Sequence, residues 1–387
     1  MTALTALALP DQVAVALLHH LESLTSSLTT PAERDRAYHQ FVQLLRRWAH
    51  TMDRRNALQF FSRAALAASA AGIVDGDGYE RLAAVLSGSS RVDTQTIEHI
   101  EAILRHCERQ DDVLGPQAAL ETVLAQRDLA HSLLLDCPGS LRPQLLSALS
   151  YASREAGWLS FDLNDFTSAA YYYEGARELA HEAGNTELGA TVLCNMSHLA
   201  VWQGKPRTGI DHAVAASQWI NRTDDMRLRA FCADKTAGAY AADRQRDRCL
   251  ATLDAAEAAL GSVDEQFPSY LYAYSEAQHI SYCGKCHLEL GDAERAADHT
   301  RRSLAALDPS FTRTIALTTI DLARACVLSR KVDEAARLLG DAGEIAAGNS
   351  SARLAEQLQQ GRAQLRPWRD TTAVRTLDER LAFCGVA

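Results

Sequence analysis

Four residues in one short stretch, His279, Cys283, Cys286 and His287, form the densest concentration of metal-type ligands in the sequence. Imidazole nitrogen and thiolate sulfur both suit zinc or copper. Counted from His279, separations of four, seven and eight residues place all four on roughly one face of a helix. The same stretch contains Cys283-Gly284-Lys285-Cys286-His287, the attachment pattern of c-type haem. Haem attachment needs an exported, unfolded chain, and a glycine at 284 also suits close helix packing. The expectation is a packed helix with no cofactor, and a metal or redox sensor centred on Cys283 and Cys286 is the alternative.

Catalytic patterns are otherwise absent. No GxSxG elbow, phosphate-cradling glycine loop or HExxH zinc pair occurs, so no enzymatic activity is expected. Asp75-Gly76-Asp77-Gly78 suggests a calcium loop, but Tyr79 and Leu86 stand where oxygen ligands belong, leaving a turn. The pairs Asp111-Asp112 and Asp224-Asp225 are expected in turns as solvated caps.

The elements that would carry these residues are helical. Alanine and leucine dominate the 387 residues, aromatic residues are only 6 %, and no sustained period-two alternation appears. A formal charge of −10 argues against a general coating of DNA. Nine scattered cysteines form no closely spaced framework, so reduced thiols in a cytoplasm are expected. The opening residues lack the charge and length of a secretory leader. Arg54-Arg55 stands before an apolar segment that Arg63 interrupts, which favours an amphipathic helix over twin-arginine export. No apolar run approaches the roughly 20 residues that span a bilayer.

Helices are predicted at 12–28, 31–48, 54–71, 93–109 and 116–135. From 150 onward a pattern repeats, in units 150–183, 190–223, 230–263, 277–310 and 316–349. Small residues recur at Gly157, Ser197, Ala237, Gly284 and Ala323 in the first helix of each unit, and at Ala169, Gly209, Cys249, Ala296 and Ala335 in the second. A third set, Ala176, Ala216, Ala256, Ser303 and Ala342, lies seven residues further on along the same face. These are tetratricopeptide-like helix pairs. The expected fold is all-α, a right-handed superhelical solenoid with an N-terminal segment at 1–50, a helical cap at 51–149, the five repeats, and capping helices at 350–387.

In such a solenoid the first helices line a concave groove. Their inward positions hold Tyr151, Arg154 and Trp158; Asn195, His198 and Trp202; Phe231, Asp234 and Lys235; Tyr282 and Lys285; and Asp321 and Arg324. Rings interleaved with cations and amides suit an extended peptide or protein partner. Arg154, Asn195 and Lys235 partly resemble the positions by which some tetratricopeptide domains clamp a terminal carboxylate, with Trp158 where that clamp has asparagine.

Residues 50–383 resemble the repeat region of actinobacterial helix-turn-helix regulators with tetratricopeptide sensor domains. The resemblance rests on Met52-Asp53-Arg54-Arg55-Asn56-Ala57-Leu58, on Tyr79-Glu80-Arg81-Leu82 and Ser90-Arg91-Val92-Asp93, on DVLGP at 112–116, on the repeats, on SARLAEQL at 351–358 and on LRPWRDTTAVRTLDERL at 365–381. It implies a role in regulating transcription, development or specialised metabolism. Those regulators carry a five-helix DNA-binding domain before this region, whereas 51 residues precede Met52 here. The expectation is a regulator that works through a peptide or protein partner, or as a homodimer, with a divergent DNA-binding regulator as the alternative.

Overall fold

The computed structural model describes residues 92–263, 270–271 and 274–385. The expected helices before residue 72, the Arg54-Arg55 segment and the Asp75–Gly78 turn lie outside these residues. Among those described there are fourteen α-helices and no strand. In chain order they are α1 (Thr94–Leu114), α2 (Pro116–Leu133), α3 (Arg142–Asp162), α4 (Phe166–Ala183), α5 (Thr186–Trp202), α6 (Pro206–Ile220), α7 (Met226–Ala242), α8 (Arg246–Leu260), α9 (Glu276–Glu289), α10 (Ala293–Ala306), α11 (Thr312–Leu328), α12 (Val332–Ala346), α13 (Ala352–Gln364) and α14 (Thr372–Phe383). A single 3-10 turn, Arg366–Trp368, separates the last two. The described residues fall into two units, 92–100 with 125–145, and 101–124 with 146–385. In the first, Asp93 caps α1 by accepting the Thr96 N–H at 2.8 Å. Everything below concerns the second.

One turn, built five times, sets the architecture of that unit. Asn164, Gly204, Arg244, Gly291 and Arg330 each hold a left-handed backbone, with φ between 58° and 79°. In each case the next amide reaches back five residues to a carbonyl, as in Asp165 N–H to Ser160 O and Lys331 N–H to Cys326 O, both at 2.9 Å. This bond satisfies a carbonyl that the helix end would otherwise leave open and reverses the chain within about two residues. The result is five helix pairs, α3/α4, α5/α6, α7/α8, α9/α10 and α11/α12.

Small residues let the paired helices approach. Ala169, Cys249, Ala296 and Ala335 are buried, as are Ala176, Ala216, Ala256, Ser303 and Ala342, the set that lies two turns on. At Gly284 an added Cβ would lie 3.3 Å from the Ala296 carbonyl and 2.5 Å from Thr300 Oγ1. The helix, not a ligand, explains that glycine. First helices of successive pairs pack side by side from α5 through α7, α9 and α11 to α13. The array is an all-α helical solenoid of tetratricopeptide-like pairs. Its last pair is covered by α13 and α14, whose Leu354, Leu358, Val374, Leu377 and Leu381 share one apolar cluster with Ile320 and Leu339.

The unit also closes on itself. Helix α1 runs to Leu114, five residues past the expected end at Arg109, and stops at Gly115, φ 88°. Its terminal carbonyls are taken by distant chain: Thr312 Oγ1 donates to Asp112 O at 2.8 Å and Ser350 N–H to Leu114 O at 3.1 Å. Asn164 Nδ2, in the first turn, donates to Glu356 Oε2 of α13 at 3.0 Å. The first and last parts of the array are therefore in contact.

Close approach at the first pair predicts a directional packing effect. An added Cβ at Gly157 would lie 2.6 Å from Cδ1 of the fully buried Tyr173. Gly157→Val is expected to lower stability by about 1–3 kcal/mol in urea unfolding. Gly175→Ala, with none of the described residues within 4 Å of an added Cβ, is expected to be neutral or to stabilise by up to ~1 kcal/mol.

Candidate functional site: a cavity beside a buried acid and arginine cluster

The first helices border a partly enclosed cavity of about 220 Å³. Nine of the thirteen expected groove residues line it: Arg154, Trp158, Asn195, His198, Phe231, Lys235, Tyr282, Lys285 and Asp321. The other four serve elsewhere. Tyr151 is buried against Tyr270, ring centres 5.5 Å apart. Trp202 stands edge-on to Phe161 at 5.7 Å. Asp234 is fully buried and accepts from the Tyr274 hydroxyl at 2.6 Å. Arg324 bridges Asp321 and Glu289, each at 3.2 Å.

One wall is an ionic cluster that the sequence reading missed. Arg313 pairs with Asp111 at 2.6 Å, Asp112 at 2.9 Å and Asp162 at 3.3 Å. Arg353 pairs with Asp162 at 2.6 Å and lies over the rings of Trp158, Phe161 and Trp202 at 5.1–5.7 Å. Beside them Arg154 pairs with Glu108 at 2.7 Å and with Glu155. All eight charged groups are buried.

Asp111 and Asp112 are thus not solvated turn residues, as expected, but internal residues of α1. The usable signal was Gly115-Pro116, a helix-ending glycine followed by proline, which moves the helix end past both carboxylates. Arg313 and Arg353 carried no local signal, because each lies at the start of a helix and its partners are more than 150 residues away.

Five buried carboxyl groups face three guanidinium groups here, so not every acid can remain charged at modest cost. Burial, reinforced by Glu108, pushes Glu155 well above the usual carboxylate range. Burial also raises Asp111 to about 7, against the pull of Arg313. Asp162 goes the other way: burial opposes its charge, yet Arg353 and Arg313 together hold it below its ordinary value.

The opposite wall is aromatic and basic. Lys235 is buried, with Nζ 3.1 Å from His198 Nδ1 and about 5 Å from the ring centres of Phe231 and Tyr282. Burial, then the charges of Lys235 and Lys285, hold His198 well below the ordinary imidazole value. The ring is neutral at pH 7, its Nδ1 accepts from Lys235, and its proton sits on Nε2. Neither that Nε2 nor the buried Asn195 Nδ2 has a partner among the described residues. Tyr270, Leu271 and Tyr274, also part of this wall, come from the connection between α8 and α9, where the repeat spacing stretches.

The four metal-type residues do not converge. His279 Nδ1 pairs with Asp234 at 2.9 Å, and its Nε2 lies 3.6 Å from Cys283 Sγ. Cys286 faces Cys249. His287 stacks on His299, ring centres 5.2 Å apart, and lies 3.6 Å from Asp292. No group of three or more such ligands able to hold a metal occurs among the described residues.

No family model matches the sequence, and no curated protein matches it. Among solved structures, the chain is similar to BtubC (BKLC) from P. vanneervenii, with 16 % identity, 60 % of this chain and 91 % of that chain covered, and a TM-score of 0.42. It is similar to a Rap protein complexed with competence and sporulation factor, with 14 % identity over 75 % of this chain and 98 % of that one, TM-score 0.47. The TPR domain of P58(IPK) gives 15 % identity over 86 % and 99 %, TM-score 0.22. With superpositions this partial, the fold assignment rests on the helix pairs themselves. No helix among the described residues is long and apolar enough to cross a membrane.

Two predictions follow from the charges. Arg313→Met leaves Asp111, Asp112 and Asp162 without their shared cation and is expected to cost about 3–5 kcal/mol in denaturant unfolding. Burial disfavours the His279 cation, but its hydrogen bonds to Asp234 and Cys283 raise it to about 10. That pairing therefore stabilises fully below the ordinary value near 6.5 and fades as the pH rises through about 10. Imidazole nitrogen shifts in NMR are expected to show His279 still protonated at pH 8.

Proposed function

We propose that this chain is a regulatory repeat protein that binds a segment of a peptide or protein partner at the cavity. In this reading its work is binding rather than turnover, inside the cell, and its output is control of transcription, development or specialised metabolism. The observation that carries the reading is the convergence of unpartnered donors on one cavity. Asn195 Nδ2 is buried with no acceptor among the described residues, a state that costs about 1–3 kcal/mol unless a ligand supplies one. Lys235 and Lys285 border the same space, so the missing acceptor is anionic or strongly polar. Phe231, Tyr282 and Tyr270 supply faces for side chains.

The cavity suits a short segment, such as a chain end, better than a long strand laid along the array. Its acid and arginine wall joins α1, α3, α11 and α13, so a ligand that prefers one spacing of those helices shifts the unit between states. A pool of short peptides, offered with free and with amidated carboxyl ends, tests this. The wild-type protein is expected to retain a defined subset with free ends, and Asn195→Leu and Lys285→Met to weaken retention at least about tenfold. Equal retention by all three proteins would remove the cavity from the account.

A further inference from the structure

The protein contains 39 lysines and arginines, of which only four are lysines: Lys205, Lys235, Lys285 and Lys331. Arginine supplies every cation of the buried ionic cluster. Yet two of the four lysines border one cavity. Only an amine can lose its proton and become a nucleophile; a guanidinium cannot. The usual ways to activate a lysine are removal from water and a second cation nearby, and Lys235 has both.

We propose that Lys235 is a covalent capture site, forming a reversible imine with a small aldehyde or ketone that carries a carboxylate, an oxo acid.

The geometry supports each part. Among the described residues Lys235 makes no ion pair with a carboxylate; its Nζ meets a neutral imidazole and two ring faces, while Lys285 and Arg353 disfavour its cation and Asp234 favours it. Burial, with Lys285 alongside, lowers it to about 7, so free amine is well populated at neutral pH. In the reaction the amine nitrogen bonds to the carbonyl carbon and the carbon–oxygen bond breaks. The oxygen leaves as water with the two protons the amine gives up, and no oxidant or reductant is required. His198 Nδ1, at 3.1 Å, is placed to take a proton from nitrogen and return it to the departing oxygen. Lys285 and the unpartnered Asn195 Nδ2 supply the charge and the donor for the carboxylate.

This site does not depend on the peptide reading, because it operates on the protein alone. The test is incubation of purified full-length protein with glyoxylate and cyanoborohydride at pH 7, which fixes an imine as a carboxymethyl group, followed by peptide mapping. Lys235 is expected to be modified at least about tenfold faster than the exposed Lys205 and Lys331. Lys235→Arg is expected to abolish the fast phase and leave the slow one. Lys285→Met is expected to slow capture of glyoxylate more than capture of acetaldehyde, which has no carboxylate; this second variant keeps the test open if the first does not fold. Modification of Lys205 and Lys331 with Lys235 untouched, or equal rates at all four lysines, would overturn the proposal.

Discussion

The buried contact of Arg313 and Arg353 with Asp162 is the constraint on which the rest of this unit depends. Asp162 ends the first helix of the first pair, whereas the two arginines open α11 and α13, more than 150 residues later. Breaking such a pair strands charge in a dry interior. The two ends of the array are therefore held by a requirement for neutralisation, not by apolar packing alone. Asp111 and Asp112, brought in by α1, enlarge the same cluster through Arg313. Asp111, Asp112, Arg313 and Arg353 of this clasp also line the cavity.

Much of the scaffold was legible in the sequence because it is written locally. A helix pair with small residues at fixed offsets states its own packing, and Gly157, Gly284 and the alanines at 169, 176 and 335 could be assigned before any coordinates. The closing contact was not legible in the same way. It couples residues of unlike position in different units, so no periodicity marks it. Asp111 and Asp112 looked like surface caps because the helix end was placed at Arg109, and Arg353 looked like part of a passive cap.

The candidate site shows the same division. The repeat frame nominates thirteen groove positions on the first helices, and nine of those residues border one space. It could not say that Arg154 is already engaged by Glu108 and Glu155, which leaves Asn195, Lys235 and Lys285 as the groups open to a ligand. It also could not foresee that the longer connection after α8 would place Tyr270 and Tyr274 against the cavity. The histidines and cysteines at 279–287, the most conspicuous chemical pattern in the sequence, do not gather: His279 pairs with Asp234, Cys286 faces Cys249 and His287 stacks on His299.

The central claim is that the array closes. Asn164→Asp with Glu356→Lys reverses the polarity of a contact now made at 3.0 Å and allows a zero-length carbodiimide to join the two side chains as an amide. Closure predicts a cross-linked peptide pair containing positions 164 and 356 within one chain, formed at dilute protein concentration. Absence of that link, in a protein whose helical content is unchanged, would contradict it.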